Sequence, residues 1–176
     1  MSGAAAGAGD GATGRDPAPV VLGPVPRVES GDRVVLYGIG NDLRGDDGAG
    51  PRVARALEGA VPWTVRAVHG LTPELADELA GADLALFVDA DADPSLDAPV
   101  WRSVEAPRGG AAGQLLGHAL DVPGLLAWCV ALHDRAPRAA TLSLPARDFS
   151  LGETLTPTAD AGVAAAIAAL TAIARG

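Results

Sequence analysis

The sequence predicts an α/β fold: a mostly parallel sheet of about five strands with helices on both faces. Three observations lead there. Strand-like apolar runs alternate with segments of helical spacing along most of the chain, the pattern that builds a parallel sheet from right-handed crossovers. The runs Arg33-Val-Val-Leu-Tyr37 and Asp83-Leu-Ala-Leu-Phe-Val88 carry unbroken apolar stretches, as strands covered on both faces do. The chain has 176 residues, 48% of them apolar and 20% charged, enough for one domain with a real core plus a tail.

Each element has its own signal. Residues 1–30 are Gly, Ala, Pro and Ser with scattered charges and no apolar period, so they are expected to form a disordered tail ahead of a domain over 31–176. Val20-Val21-Leu22 is its one apolar cluster, a weak candidate for an edge strand. The first strand ends at Gly38, and a loop from Gly38 to Gly50 leads into a helix over 51–57, with Pro51 in its first turn and Val53 and Leu57 four apart. Thr64–Val68 reads as the second strand. Thr72 is placed to cap a helix that has Pro73 at its first position and Leu75 and Leu79 inward. The third strand covers 83–88 and ends at Asp89. Val100–Val104 alternates and suits a position nearer an edge, and a Gly/Ala-rich loop follows from Pro107 to Gly113. A helix is expected from Val122 to about 134 with Leu125, Leu126, Cys129 and Leu132 inward, then a strand over 139–144. A last helix spans about 157–174, with Val163, Ile167 and Leu170 on its buried stripe.

Composition excludes several classes of function. The net charge is −9, from 22 acidic and 13 basic residues, every basic one an arginine; a nucleic-acid partner would demand a basic stripe. Cys129 is the single cysteine, so neither a disulfide framework nor a cysteine-rich metal cluster is expected. No apolar run approaches a membrane span, and the N-terminus lacks the basic and apolar regions of a secretory signal. The expected setting is the reducing cytoplasm, without membrane insertion.

In a sheet of this kind ligands bind beyond the carboxyl ends of the strands, so function is sought in Gly38–Gly50, His69-Gly70, Asp89–Asp93 and Pro145–Glu153. The first of these contains a G-x-G, yet Leu43 stands where a dinucleotide fingerprint needs Gly or Ala, and Asp46 and Asp47 would repel a pyrophosphate. The absence of lysine excludes a P-loop. One Asp before a helix is explained by capping. Two adjacent carboxylates raise the proton affinity of one of them, a cost that a bound cation or an acid/base step would use. Asp89 follows an apolar strand and should face the crevice, whereas Asp91 and Asp93 are read as a solvated turn. His118 precedes a helix. Asp47, Asp89 and His118 together offer two oxygens and an imidazole nitrogen, a set suited to nickel or zinc with positions left open for substrate.

Gly38-Ile-Gly-Asn41, Gly45-Asp-Asp-Gly48 and Gly50, followed by Val53 and Leu57, resemble the opening signature of the hydrogenase maturation proteases. These endopeptidases process the large subunit of nickel–iron hydrogenases. The likeness continues in His69-Gly-Leu-Thr-Pro-Glu-Leu75, Phe87-Val-Asp-Ala90, Gly117-His-Ala-Leu120 and Leu151-Gly-Glu-Thr-Leu-Thr-Pro157, and spans roughly residues 33–174. It implies a three-layer αβα sandwich in which Asp47, Asp89 and His118 contact nickel carried by the hydrogenase precursor, not a permanently bound ion. The cut implied is removal of a short C-terminal extension from that nickel-loaded large-subunit precursor. The chain departs from the pattern in having Asp47 where some relatives carry Glu, Gly70 where Gln is expected, and a long N-terminal tail.

Amide hydrolysis needs an activated water, a polarised carbonyl and a proton for the amine. No serine triad is apparent, and Cys129 lies on an apolar helix face, where cysteine is usually inert. Carboxylate-assisted, aspartic-type cleavage is therefore expected. Asp46 or Asp47 is the base, with Asp89 as a further carboxylate; Asp89 and His118 position the metal-bearing substrate. The alternative is a nickel-dependent chaperone or binder of a hydrogenase subunit that does not cut.

Overall fold

The computed structural model describes residues 23–107 and 120–176. His118, Val20-Val21-Leu22, most of the Gly/Ala-rich loop and most of the Gly117–Leu120 motif lie outside the described residues.

Among the described residues, five strands form one sheet: β1 (Val34–Ile39), β2 (Thr64–Val68), β3 (Leu84–Asp91), β4 (Val100–Val104) and β5 (Arg138–Pro145). Their order is β2-β1-β3-β5-β4. All neighbours pair parallel except β4, which runs antiparallel to β5 at the edge. Among the described residues, four helices cover the sheet: α1 (Ala49–Leu57), α2 (Leu75–Ala80), α3 (Val122–His133) and α4 (Pro157–Arg175). Alternate residues of each strand feed two cores. Val34, Leu36, Leu86 and Leu142 pack with Val53 and Leu57 of α1 and Leu170 of α4. Val35, Tyr37 and Phe87 pack with Leu79 of α2 and Leu125, Leu126 and Cys129 of α3. Burial on both faces explains why the central strands read as unbroken apolar runs.

Several boundaries differ from the expectation. β3 runs on to Asp91 because its ladder with β5 continues through Asp89↔Ser143 and Asp91↔Pro145, so Asp89 sits inside a paired strand. Helix α2 starts at Leu75: the carbonyls of Thr72 and Pro73 accept from the N–H groups of Leu75 and Ala76 at 3.1 and 3.0 Å, a tight turn that precedes the α-helical bonding. Leu132, expected inward on α3, is 54% exposed. Helix α4 spans 19 residues and its apolar stretch has a mean hydropathy of 1.5, long and apolar enough to cross a membrane by length and composition, against the expectation that no apolar run approaches a span. Here it serves as a core helix, with Ala159, Ala166 and Leu170 wholly buried against the sheet and α1.

Residues 23–30, assigned by composition to the tail, pack on the domain. Val28 lies against the α1/α4 core, the Arg27 carbonyl accepts from Arg138 at 2.9 Å, and a Cβ on Gly23 would meet the Trp101 carbonyl oxygen at 2.0 Å.

Candidate active site

The chain leaves β1 toward β2 on one side and later enters β3 on the other. The strand order therefore reverses between β1 and β3, and there the loops on opposite sides leave a crevice. A cavity of about 530 Å³ opens at this place, with Gly40, Asp47, His69, Asp89, Asp121 and Thr141 in its lining.

The β1–α1 loop is shaped by close approach. Gly40 has φ +138°, and a Cβ there would lie 1.9 Å from the Asp47 carbonyl oxygen. A Cβ on Gly50 would lie 2.3 Å from the Ile39 carbonyl oxygen and 2.6 Å from that of Val88. The first turn of α1 thus rests on the ends of β1 and β3, and these glycines make that contact possible instead of cradling a phosphate.

Between them, residues Gly45–Gly48 form a single 3-10 turn, which gives the acidic pair two different surroundings. Asp46 is wholly buried. Its Oδ2 accepts from the N–H groups of Arg147 and Asp148 at 2.7 and 3.1 Å and from Thr156 Oγ1 at 2.8 Å; its Oδ1 accepts from the Thr156 N–H at 2.7 Å. Burial favours the neutral acid, but the four donors outweigh it and hold this carboxyl below the usual range. Both oxygens are engaged with the β5–α4 loop, and Asp46 does not line the cavity. The sequence offers Asp46 as a candidate base; in the structure it clamps two loops together. The neighbouring Gly45 N–H donates to the Gly152 carbonyl at 2.7 Å, and the Gly152 N–H donates to that of Leu43 at 2.9 Å, continuing the same clamp.

Asp47 is half-buried and faces the cavity. Its Oδ2 accepts from the Asn41 N–H at 2.9 Å, which fixes the carboxylate across its own loop. Asp89 reaches the same cavity from β3, with Oδ1 accepting from the Ala90 N–H at 2.8 Å. Although solvent reaches it through the opening, the surrounding protein removes enough water to push its carboxyl up to about 6, and the negative charges of Asp47 and Asp91 add to the effect.

Asp91 faces Arg102 at 3.4 Å; Asp93 accepts from the N–H and hydroxyl of Ser95, a local turn as its spacing suggests. Burial pushes the Cys129 thiol up to about 11, so it is protonated and inert at neutral pH. Among the described residues, no three His, Cys, Asp or Glu side chains form a group able to hold an ion. One group on the cavity lies at a strand end marked by the sequence but carries no role assigned from it. His69 directly follows β2, and the strand-end rule that marks Asp89 applies to it equally.

No protein-family model matches the chain, and no curated protein sequence matches it significantly. Solved structures do match. The [NiFe] hydrogenase maturation protease HybD from Thermococcus kodakarensis superposes with a TM-score of 0.59 at 24% identity, covering 81% of this chain and 99% of that one. HybD from E. coli, a hydrogenase maturating endopeptidase, gives 0.61 at 20% identity, with 81% and 92% covered. The maturation protease HycI from Thermococcus kodakarensis gives 0.63 at 22% identity, with 84% and 96% covered.

The chain has the hydrogenase maturation protease fold. Nearly the whole length of each of these structures is matched, over about four-fifths of this chain. On this hydrogenase maturation protease fold the cavity holding Asp47, His69 and Asp89 occupies the switch point of the sheet, the place where an open α/β fold positions its chemistry.

Proposed function

We propose that the protein is a hydrogenase maturation protease: an endopeptidase that removes a C-terminal extension from the nickel-loaded large-subunit precursor of a nickel–iron hydrogenase, in the cytoplasm. The observation that supports this reading best is the pair Asp47 and Asp89 on one cavity at the switch point of a fold shared with such proteases. The charge of Asp47 adds to the cost of ionising Asp89, a cost that a divalent cation relieves, and nickel bound in the substrate is such a cation. Asp89 and Asp47 would hold it with oxygen ligands, and His118 would supply the imidazole.

Of the two adjacent carboxylates, Asp47 is assigned as the base. Asp46 has no oxygen left to accept a proton, since its bonds to Arg147, Asp148 and Thr156 use both. Asp47 has one oxygen fixed by Asn41 and opens on the cavity with the other, which suits removal of a proton from an attacking water. The deciding experiment incubates the full chain with precursor purified with and without nickel and reads the products by intact mass. Loss of a C-terminal fragment from the nickel-loaded precursor alone is the expected result. Binding without any loss of mass would assign the chain to the non-cutting binders instead.

A further inference from the structure

We propose that His69 is a catalytic residue whose ring N–H donates a hydrogen bond to the carbonyl oxygen of the peptide bond being cut. The inference rests on the peptidase reading above and adds to it a residue at the opposite wall of the cavity. Among the described residues, the polar lining of the cavity is dominated by acceptors. Asp47, Asp89 and Asp121 bring carboxylates, which when ionised only accept hydrogen bonds, and the carboxylate of Asp121 is already taken up by the Gly124 N–H at 2.8 Å, capping α3. A peptide carbonyl is also an acceptor, and in hydrolysis its oxygen gains negative charge, so three carboxylates alone would repel it. A donor is required.

Among the described residues, two side chains in the lining can donate, His69 and Thr141. Thr141 pairs with Phe87, two residues before Asp89 along β3, and so lies on the cavity floor. His69 lies at the rim: Ile39 pairs with Val68, and Gly38 with Val88, which places His69 one residue beyond the level of Asp89. Strand β1 separates β2 from β3, so at the usual strand spacing the two backbones stand about 10 Å apart. Both residues line the one cavity, and among the described residues they belong to no three-residue ion site. His69 is exposed and has no hydrogen-bond partner there, so its donor is available to a substrate.

In the step so described, the water oxygen bonds to the carbonyl carbon while Asp47 takes the water's proton. The C–N bond then breaks as that proton passes to the departing amine. His69 keeps its own proton throughout and stabilises the oxyanion.

The test is single-turnover cleavage of nickel-loaded precursor by the full chain under saturation, for wild type, His69→Ala and His69→Gln, with precursor affinity and melting temperature measured for each. His69→Ala is expected to cut roughly a hundredfold more slowly, with affinity changed less than about twofold and the melting temperature unchanged, because the side chain is exposed. His69→Gln, whose amide also donates, is expected to recover about tenfold of that loss with the wild-type pH profile. A wild-type rate in His69→Ala, a loss of affinity alone, or a Gln variant as slow as the Ala variant overturns the assignment and leaves the peptidase reading intact. A wild-type chain that does not cut the precursor overturns both.

Discussion

Asp46 and Asp47 are neighbours whose substitution by Asn should have opposite signatures. In Asp46→Asn, one orientation or the other of the amide must turn its NH2 toward a backbone N–H of Arg147, Asp148 or Thr156. Losing charge-assisted bonds in a buried site costs about 2–3 kcal/mol, so the variant should unfold at lower denaturant concentration with an unchanged m-value. Because this carboxyl is held below its usual range, its stabilisation is present at neutral pH and is lost as the pH falls through its folded-state value. Asp47→Asn should leave stability nearly unchanged, since the Asn oxygen can still accept from Asn41. It should instead slow cleavage of bound precursor by at least a hundredfold, read under saturation. Asp89 carries the reverse sign of linkage. Its carboxyl is raised from 3.8 to about 6, so the folded state holds a proton that the unfolded state releases, and stability falls as the pH rises from about 4 to 6. Asp89→Asn keeps the bond to Ala90 and removes the ionisation. Denaturant titrations should find it more stable than wild type at pH 7 by about 1 kcal/mol, allowing for solvent screening, with no difference below pH 4.

At the scale of elements, backbone packing decides what the side chains can do. A Cβ on Gly50 would meet backbone atoms, the carbonyl oxygens of Ile39 and Val88 and the Ile39 nitrogen, so a methyl group there has nothing flexible to displace. Gly50→Ala should cost about 3 kcal/mol or more, while Gly70→Ala, with nothing within 4 Å, should melt like wild type. Calorimetry on the two variants separates helix seating from a general loss of flexibility. This seating also shows what the sequence reveals of the fold. The strands β2 and β4 were readable to the residue because they are bounded by breakers or charge, whereas α1, read from Pro51, begins two residues earlier, at Ala49. The end of β3 was not: Asp89 and Asp91 are poor strand formers, and only the ladder to β5 keeps them extended. Leu132 could not be placed because α3 is apolar on nearly every face, so periodicity gives no direction. In the site, Asp47 and Asp89 were legible from their place after strands. The division of labour between Asp46 and Asp47 was not, since it depends on the 3-10 turn that sends the first toward Thr156 and the second into the cavity.

For the whole molecule, the ordered domain begins earlier than composition indicates. A stretch rich in Pro and Gly lacks the apolar period that would mark it as core, yet its contacts are specific. Val28 buries against the α1/α4 core, partly covered from solvent. Arg138, on β5, reaches both the Arg27 carbonyl and the Asp32 carboxylate, at 2.9 and 2.6 Å. Gly23 lies against the backbone of Trp101 on the edge strand β4, so the segment crosses from one side of the sheet edge toward α4. Removing it takes Val28 away from the core surface it covers and breaks the Arg138–Arg27 bond, together about 1–2 kcal/mol. A chain starting at Gly31 should therefore melt roughly 2–8 °C below one starting at Gly23. Comparing these two truncations isolates residues 23–30 from everything before them. Equal melting temperatures would return the boundary to residue 31 and make the contacts of Val28 and Arg27 incidental to stability. Since none of these residues lines the cavity between β1 and β3, cleavage at a temperature where both chains are folded should be the same for the two.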